Sequence, residues 1–502
     1  MNITSKKGIL FILCGLAAIQ FAGCTSSEHF YEDVSLSRET AYREWKDRKE
    51  SQESAETHIS GQLNMQDCLK LALSNNKVLQ RVLQEKDVAR GEELKSYSAA
   101  LPSIGLSGQY TRLDLVQSIE IPTTTGNRSI TLGDLDNYSV GLRVTQPIYA
   151  GGAIIAQINA GKLFSLITNQ TVRAAVQEVV YLAAHSYYDT LLNQHLSQIS
   201  ADAVRSSQAH LDDVKQKRQI GVASDFDVMR GEVELSNFQA EYIRNKNAIN
   251  VAKANLLKVM GVSQDSNVAL SDELVYAPFK MEMQEAVEVA YRNRPDLFSR
   301  EFDIKYQKEL LQIAYSEYLP VVSGYYENLW SRPDPHTSMI IDWGHSWQAG
   351  VLVTLPLFDG LSREGEILTQ KARLKQSQID LIDAEETTLF ELTKALLSIQ
   401  DAAEFIESQS LNLTRAQEGL RLAEVGYREG INTQVEIIDA QSALTTARSN
   451  YYQAIYLHIV AKLSLKKSMG TLTGYEAAAS GPVVKQHEHQ TVKETISAVS
   501  VE

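Results

Sequence analysis

Glu436 and Asp439 stand three residues apart in a proline-free stretch, a spacing that puts two side chains on one face of a helix. Repeated around a symmetry axis, such a pair would form a ring of carboxylates that favours cations and whose members repel one another. On a solitary chain the same pair is a solvated helix face. Other candidates for chemistry are few. His185, His195 and His210 are ten and fifteen residues apart, spacings that do not gather three ligands about one metal, so they are expected on a helix surface or packed. His487, Glu488 and His489 fall in a polar tail and read as solvated. There is no His-Glu-x-x-His, no Gly-x-Ser-x-Gly and no phosphate loop. Neither an enzyme nor a cofactor is expected. Net charge is -14, from 62 acidic and 48 basic side chains, which argues against a nucleic-acid partner.

The chain of 502 residues begins with Lys6 and Lys7, an apolar run from Ile9 to Ala22, and small residues leading to Cys24. This is the pattern of a secretory signal, residues 1–23, too short for a spanning helix. Its end resembles a bacterial lipobox, in which cleavage leaves a lipid-modified cysteine at Cys24. Thr25 and Ser26 follow without an aspartate at the second place, which by resemblance to lipoprotein sorting favours the outer membrane. Cys14 would leave with the signal, so Cys68 would be the remaining thiol and no intramolecular disulfide is expected. Residues 24–60 read as a polar, acylated linker on the outside of the molecule, and 471–502 as a disordered tail.

The rest is written twice. Met65 and Pro102 recur as Met283 and Pro320, a shift of 218; Pro147, Gly221 and Gly261 recur as Pro356, Gly430 and Gly470, a shift of 209. The copies, 61–270 and 271–470, thus stay in register apart from nine extra residues between Pro102 and Pro147. No proline lies between 147 and 278 or between 356 and 482, so two long stretches are free to be helical. Gly221 and Gly430 read as turns that divide each stretch into a helical hairpin, 153–261 and 361–470. Leu389, Leu392, Leu396, Ile399, Ala403 and Ile406 step by three and four, a heptad seam along one helix from about Leu361 to Val425. Its first-copy partner would run from about Ala153 to Lys217.

Ahead of each hairpin the period changes to two. Trp347, Ala349, Val351, Val353, Leu355 and Leu357 share one face, as do Val140, Leu142, Val144 and Ile148; Ile104 to Arg112 and Val321 to Trp330 alternate more weakly. Each run has about the ten residues of a tilted membrane strand. The hairpins 103–149 and 321–358 would supply four strands, joined by loop-like connections from Leu113 to Asn137 and from Ser331 to Ser346. Four strands cannot stand in lipid with open edges, so several copies must close one barrel. A soluble sheet packed on helices is the other reading of these runs.

The order of signal, helix, two strands and long helical hairpin, given twice, with the Leu-Pro, Pro-Ile-Tyr-Ala-Gly and Pro-Leu-Phe-Asp-Gly anchors and the Met-Gly helix ends, resembles the TolC-like outer-membrane efflux channel family from about Asn64 to Gly470. The resemblance implies a mainly α fold with a small β part. Three copies would share a twelve-stranded transmembrane β-barrel, and their hairpins would form an α-barrel tunnel across the periplasm. It further implies a passive exit duct for drugs or other small toxic solutes, with a periplasmic adaptor, an inner-membrane pump and outer-membrane lipid as partners. Glu436 and Asp439 match the family's constriction acids and Tyr427 a tyrosine of its closing latch, while Asn432 stands where the latch has arginine. Arg218, Gly221, Ser224, Gly430 and Thr433 match the tip turns that meet the adaptor. An outlet for type I protein secretion uses the same fold, and a non-conducting periplasmic coiled-coil tether is the alternative of another class.

Overall fold

The computed structural model describes residues 27–51, 59–124, 126–337 and 340–472; the signal segment, Cys24 and the tail with His487 to His489 lie outside them. The described residues fall into two compact units, one within Met1–Gly61 and Val262–Val268, the other within Gln62–Gly261 and Ala269–Glu502.

The first unit contains α1 (Ser27–Ser51). A polar linker was expected here, and most of the described part is instead a 25-residue helix. It has no proline or glycine, and Arg43 bonds Glu39 one turn earlier at 2.6 Å. The chain continues through β1 (Ser60–Leu63) into α2 (Met65–Asn75), α3 (Lys77–Tyr97), β2 (Ser103–Arg112), β3 (Gln117–Thr123), β4 (Gly126–Leu132) and β5 (Asp136–Ala150). Then come α4 (Ala153–Gln219), α5 (Asp225–Met260) and β6 (Asn267–Leu270), which forms a two-stranded sheet with β1. The second copy gives α6 (Met283–Asn293), α7 (Pro295–Ser316), β7 (Val321–Arg332), β8 (Gly344–Thr354), α8 (Ser362–Arg428) and α9 (Gln434–Ser468).

The duplication holds down to single hydrogen bonds. Gly261 and Gly470 both turn left-handed at the end of a hairpin, with φ of 69° and 71°. Asn76 Nδ2 donates to the carbonyl of Val259 at 2.8 Å, and at the matching positions Arg294 Nη1 donates to the carbonyl of Ser468 at 3.1 Å. Each bond ties the break between two short helices to the far end of a long hairpin.

Both α4 and α8 have 67 residues, about 100 Å of helix at 1.5 Å per residue. In α8 the buried seam is Leu392, Ala395, Ile399, Ala402 and Ile406. Leu392, Ile399 and Ile406 of the expected seam are in it, but Leu389 is 39% exposed, Leu396 and Ala403 only flank it, and Ala395 and Ala402 take their places. Ala395 and Ala402 are buried in that seam between the larger Leu392, Ile399 and Ile406. Leu392, with Ala286 and Ala290 of α6 and Leu465 of α9, forms the core of the second half; Ala72, Leu79, Val179 and Ala183 form that of the first. Full burial of a leucine such as Leu392 contributes about 2 kcal/mol. Cys68 is buried, and burial pushes its thiol up to about 12, so it stays protonated and unreactive.

The four long strands form one antiparallel sheet in the order β2-β5-β7-β8. Its register joins Ile104, Val144, Tyr326 and Ala349 in one row and Leu106, Leu142, Asn328 and Trp347 in another, all on one face. Ile104, Leu106 and Trp347 are 70%, 74% and 66% exposed, so a single copy leaves this apolar face uncovered. Strand β8 stops at Thr354, before Pro356, so Leu355 and Leu357 fall outside it. The register shifts between Pro147 and Tyr149, which puts Ile148 in a bulge.

A further expectation fails. The connection from Leu113 to Asn137 is not a loop: β3 and β4 pair across it from Gln117 with Leu132 to Thr123 with Gly126. Ile119 and Ile121 alternate with Ser118 and Glu120, a strand signal that Pro122 and the run of threonines hide. This hairpin lies in the stretch where the first copy is nine residues longer.

Candidate gate at the helix tips

Each long hairpin reverses at a glycine. Gly221 and Gly430 have φ of 78° and 73°, and nothing lies within 4 Å of where a Cβ would stand. The N–H of Val222 reaches the carbonyl of Lys217 at 2.9 Å, and that of Ile431 reaches Gly426 at 2.8 Å, closing the outgoing helix in the same way. The returning helices start alike. Ser224 caps α5, its backbone N–H and hydroxyl donating to Asp227 Oδ2 at 2.9 and 2.7 Å. These bonds hold the Asp227 carboxyl below the usual aspartate range. The cap is therefore complete above that range and is lost as pH falls through the lowered value. At the other tip the N–H of Thr433 donates to Glu436 Oε2 at 2.7 Å. Arg218 pairs with Asp225 across the first turn.

Glu436 is thus the acid of a capping box in its own turn, a role that Thr-x-x-Glu spells out in the sequence. Asp439 is exposed one turn further along α9. Tyr427 does not join these acids. Its ring faces α4, with Lys217 Nζ 3.8 Å from the centroid and the His210 ring edge-on at 5.4 Å. Burial raises the Tyr427 hydroxyl and lowers His210, so both stay neutral at pH 7. Asn432 lies against Gly426 and donates to Ala423 at 3.5 Å, a contact inside its own hairpin.

The two tips are also joined by residues that spacing did not reveal. Buried Gln434, the first residue of α9, donates to the carbonyl of Asp227 in α5 at 3.0 Å. Ser442 meets Glu234 at 3.1 Å, and Gln441 donates to the carbonyl of Ala203 at 3.1 Å. His185 and His195 pack as expected, on Tyr456 and Tyr452 of α9; the second pair stacks at 4.3 Å. The turns themselves are apolar and open: Ile220, Val222, Phe226 and Ile431 are between 65% and 79% exposed. Exposed apolar side chains grouped at one end mark a surface made for contact.

The sequence matches the model of the outer membrane efflux protein family over residues 68–262 and 286–471, one segment in each half. It is 22% identical over 422 residues to the outer membrane protein TolC of Vibrio cholerae, covering 82% of this chain and 91% of that protein. It is 21% identical to the alkaline protease secretion protein AprF of Pseudomonas aeruginosa, covering 82% and 85%. Among solved structures, the CmeC outer membrane channel of Campylobacter jejuni superposes with a TM-score of 0.71 at 16% identity, covering 82% of this chain and 86% of that one. The doubled helix–strand–hairpin order, the four-stranded sheet and the family match over most of both halves lead to one conclusion: this chain belongs to the outer membrane efflux protein family.

Proposed function

We propose that this chain is the outer-membrane exit duct of a three-part efflux pump. Three copies join their four-stranded sheets into a twelve-stranded barrel, and their hairpins make a tunnel through the periplasm. The observation that carries this reading is the four-stranded sheet with an uncovered apolar face and two unpaired edges, β2 and β8. Such a sheet is satisfied in lipid only by further copies of itself. The tips point away from the barrel, and Arg218, Gly221, Ser224, Gly430 and Thr433 surround an apolar surface that suits a periplasmic adaptor. Glu436 and Asp439 form the acidic constriction, and Tyr427 ties α8 to α4 while the duct is closed. Energy comes from an inner-membrane pump, and Cys24 adds a lipid anchor. The duct itself performs no catalysis.

Planar-bilayer recording of the purified trimer tests this directly. A duct carries current; a periplasmic tether gives none, and a silent bilayer with intact trimers would sink the proposal. In the same assay Tyr427→Ala is expected to raise the open fraction several-fold, since it removes a cation–π contact worth about 1 kcal/mol together with the ring's packing. Tyr427→Phe keeps the ring and should behave like the parent chain; equal opening in the alanine variant would free Tyr427 of this role. Likeness to AprF favours a second reading, an outlet for secreted proteins. Crosslinking in intact cells followed by mass spectrometry separates the two by the inner-membrane partner recovered.

A further inference from the structure

The face of the sheet opposite the apolar one carries a row of its own. The register sets Gly105 of β2, Arg143 of β5, Glu327 of β7 and Gln348 of β8 side by side across all four strands. Arg143 Nη2 donates to Glu327 Oε2 at 3.1 Å, and Gln348 Nε2 donates to the same oxygen at 2.6 Å. The rows on either side are small or uncharged: Ser103, Thr145, Tyr325 and Gly350 on one, Ser107, Gly141, Leu329 and Ser346 on the other. Arg112, Asp136, Arg332 and His345 lie at or next to strand ends, so Arg143 is the base and Glu327 the acid within the interiors of these four strands. Their exposures differ. Glu327 is 22% exposed and already bonded twice, whereas Arg143 is 59% exposed and keeps guanidinium N–H groups free to face water.

We propose that this row is a charge-balanced belt in the barrel lumen that sets which ions and charged solutes pass, with Arg143 as the group that meets them. The inference rests on the reading of the chain as a duct. Strand alternation then fixes the side: Ile104, Leu106 and Trp347 face lipid, and the Arg143 row faces the water-filled interior. An ion pair on an open surface contributes little, but in a water-filled lumen enclosed by low-dielectric walls a ring of fixed charges biases the ions that pass. Three copies would repeat Gly-Arg-Glu-Gln around the lumen, and Gly105 places no side chain beside each arginine. Balanced in this way, the belt admits neutral and singly charged solutes and offers anions the first hydrogen-bond donor.

The test is the reversal potential of full-length trimers in planar bilayers under a potassium chloride gradient, for the parent chain, Arg143→Gln, Glu327→Gln and the double variant. Arg143→Gln leaves Glu327 uncompensated and should shift the cation-to-anion permeability ratio upward by about twofold or more; Glu327→Gln should shift it downward by a similar factor. The double variant keeps hydrogen-bonding groups at both places and should return to the parent value, which guards against a mere folding defect. Conducting trimers with one common reversal potential would overturn the belt and leave the duct standing. Assembled trimers that never conduct would overturn the duct instead.

Discussion

Alanine in place of Gly261 or Gly470 is expected to abolish stable trimers. Both residues are left-handed, which alone costs a side chain about 1–2 kcal/mol. The larger cost is steric. A Cβ on Gly261 would overlap the carbonyl of Asn75 and stand 3.0 Å from the nitrogen of Asn76; one on Gly470 would stand 2.7 Å from the nitrogen of Arg294. These are backbone atoms at the break between α2 and α3, or between α6 and α7, already held by the bonds of Asn76 and Arg294. Nothing flexible can give way, so the total should exceed about 3 kcal/mol per site. Thermal melting followed by circular dichroism, with trimer yield on mild electrophoresis, reads the result. Melting indistinguishable from that of the parent would refute the close approach at these junctions.

Valine at both Gly221 and Gly430 should have the opposite signature: normal trimers and no export. These glycines share the left-handed φ but have empty surroundings, so the penalty is confined to the turn, about 1–2 kcal/mol each. The hairpins on either side are held by their seams and by Gln434, and assembly survives. The distorted turns, however, are those that carry Ile220, Val222 and Ile431 to the surface where an adaptor would seat. Drug susceptibility of cells carrying the double variant is expected to match that of cells lacking the gene. Full resistance with normal trimer levels would remove the turns from the docking surface. The two glycine pairs thus separate fold from function with one kind of substitution.

Much of this architecture is legible in the residues. Proline placement marks where both 67-residue helices can begin to within a few residues, because a proline in a helix interior is costly enough to be excluded. Gly221, Gly430, Gly261 and Gly470 mark the turns because left-handed backbone favours glycine. What escaped was decided by tertiary contact. The seam in α8 runs through Ala395 and Ala402 as well as Leu392, Ile399 and Ile406, and leaves Leu389 and Leu396 at its margin. Strand β3 was hidden by Pro122. Lys217, His210 and Gln434 reach residues of the other copy some 200 positions away, and no local pattern announces such a meeting. Arg143 and Glu327 are 184 positions apart, and only the register pairs them.

The two outgoing helices are equal in length, although the copies differ by nine residues elsewhere. The returning helices have 36 and 35 residues. The two copies differ in length where the strands connect and agree along the rods. The molecule is in this respect a gauge: the gap it bridges is encoded as a residue count, at about 1.5 Å for each. Deleting one heptad from a single rod would leave its two turns at unequal heights, whereas trimming both together would keep them level and merely shorten the reach. A change of reach therefore calls for the same change of residue count in both rods at once.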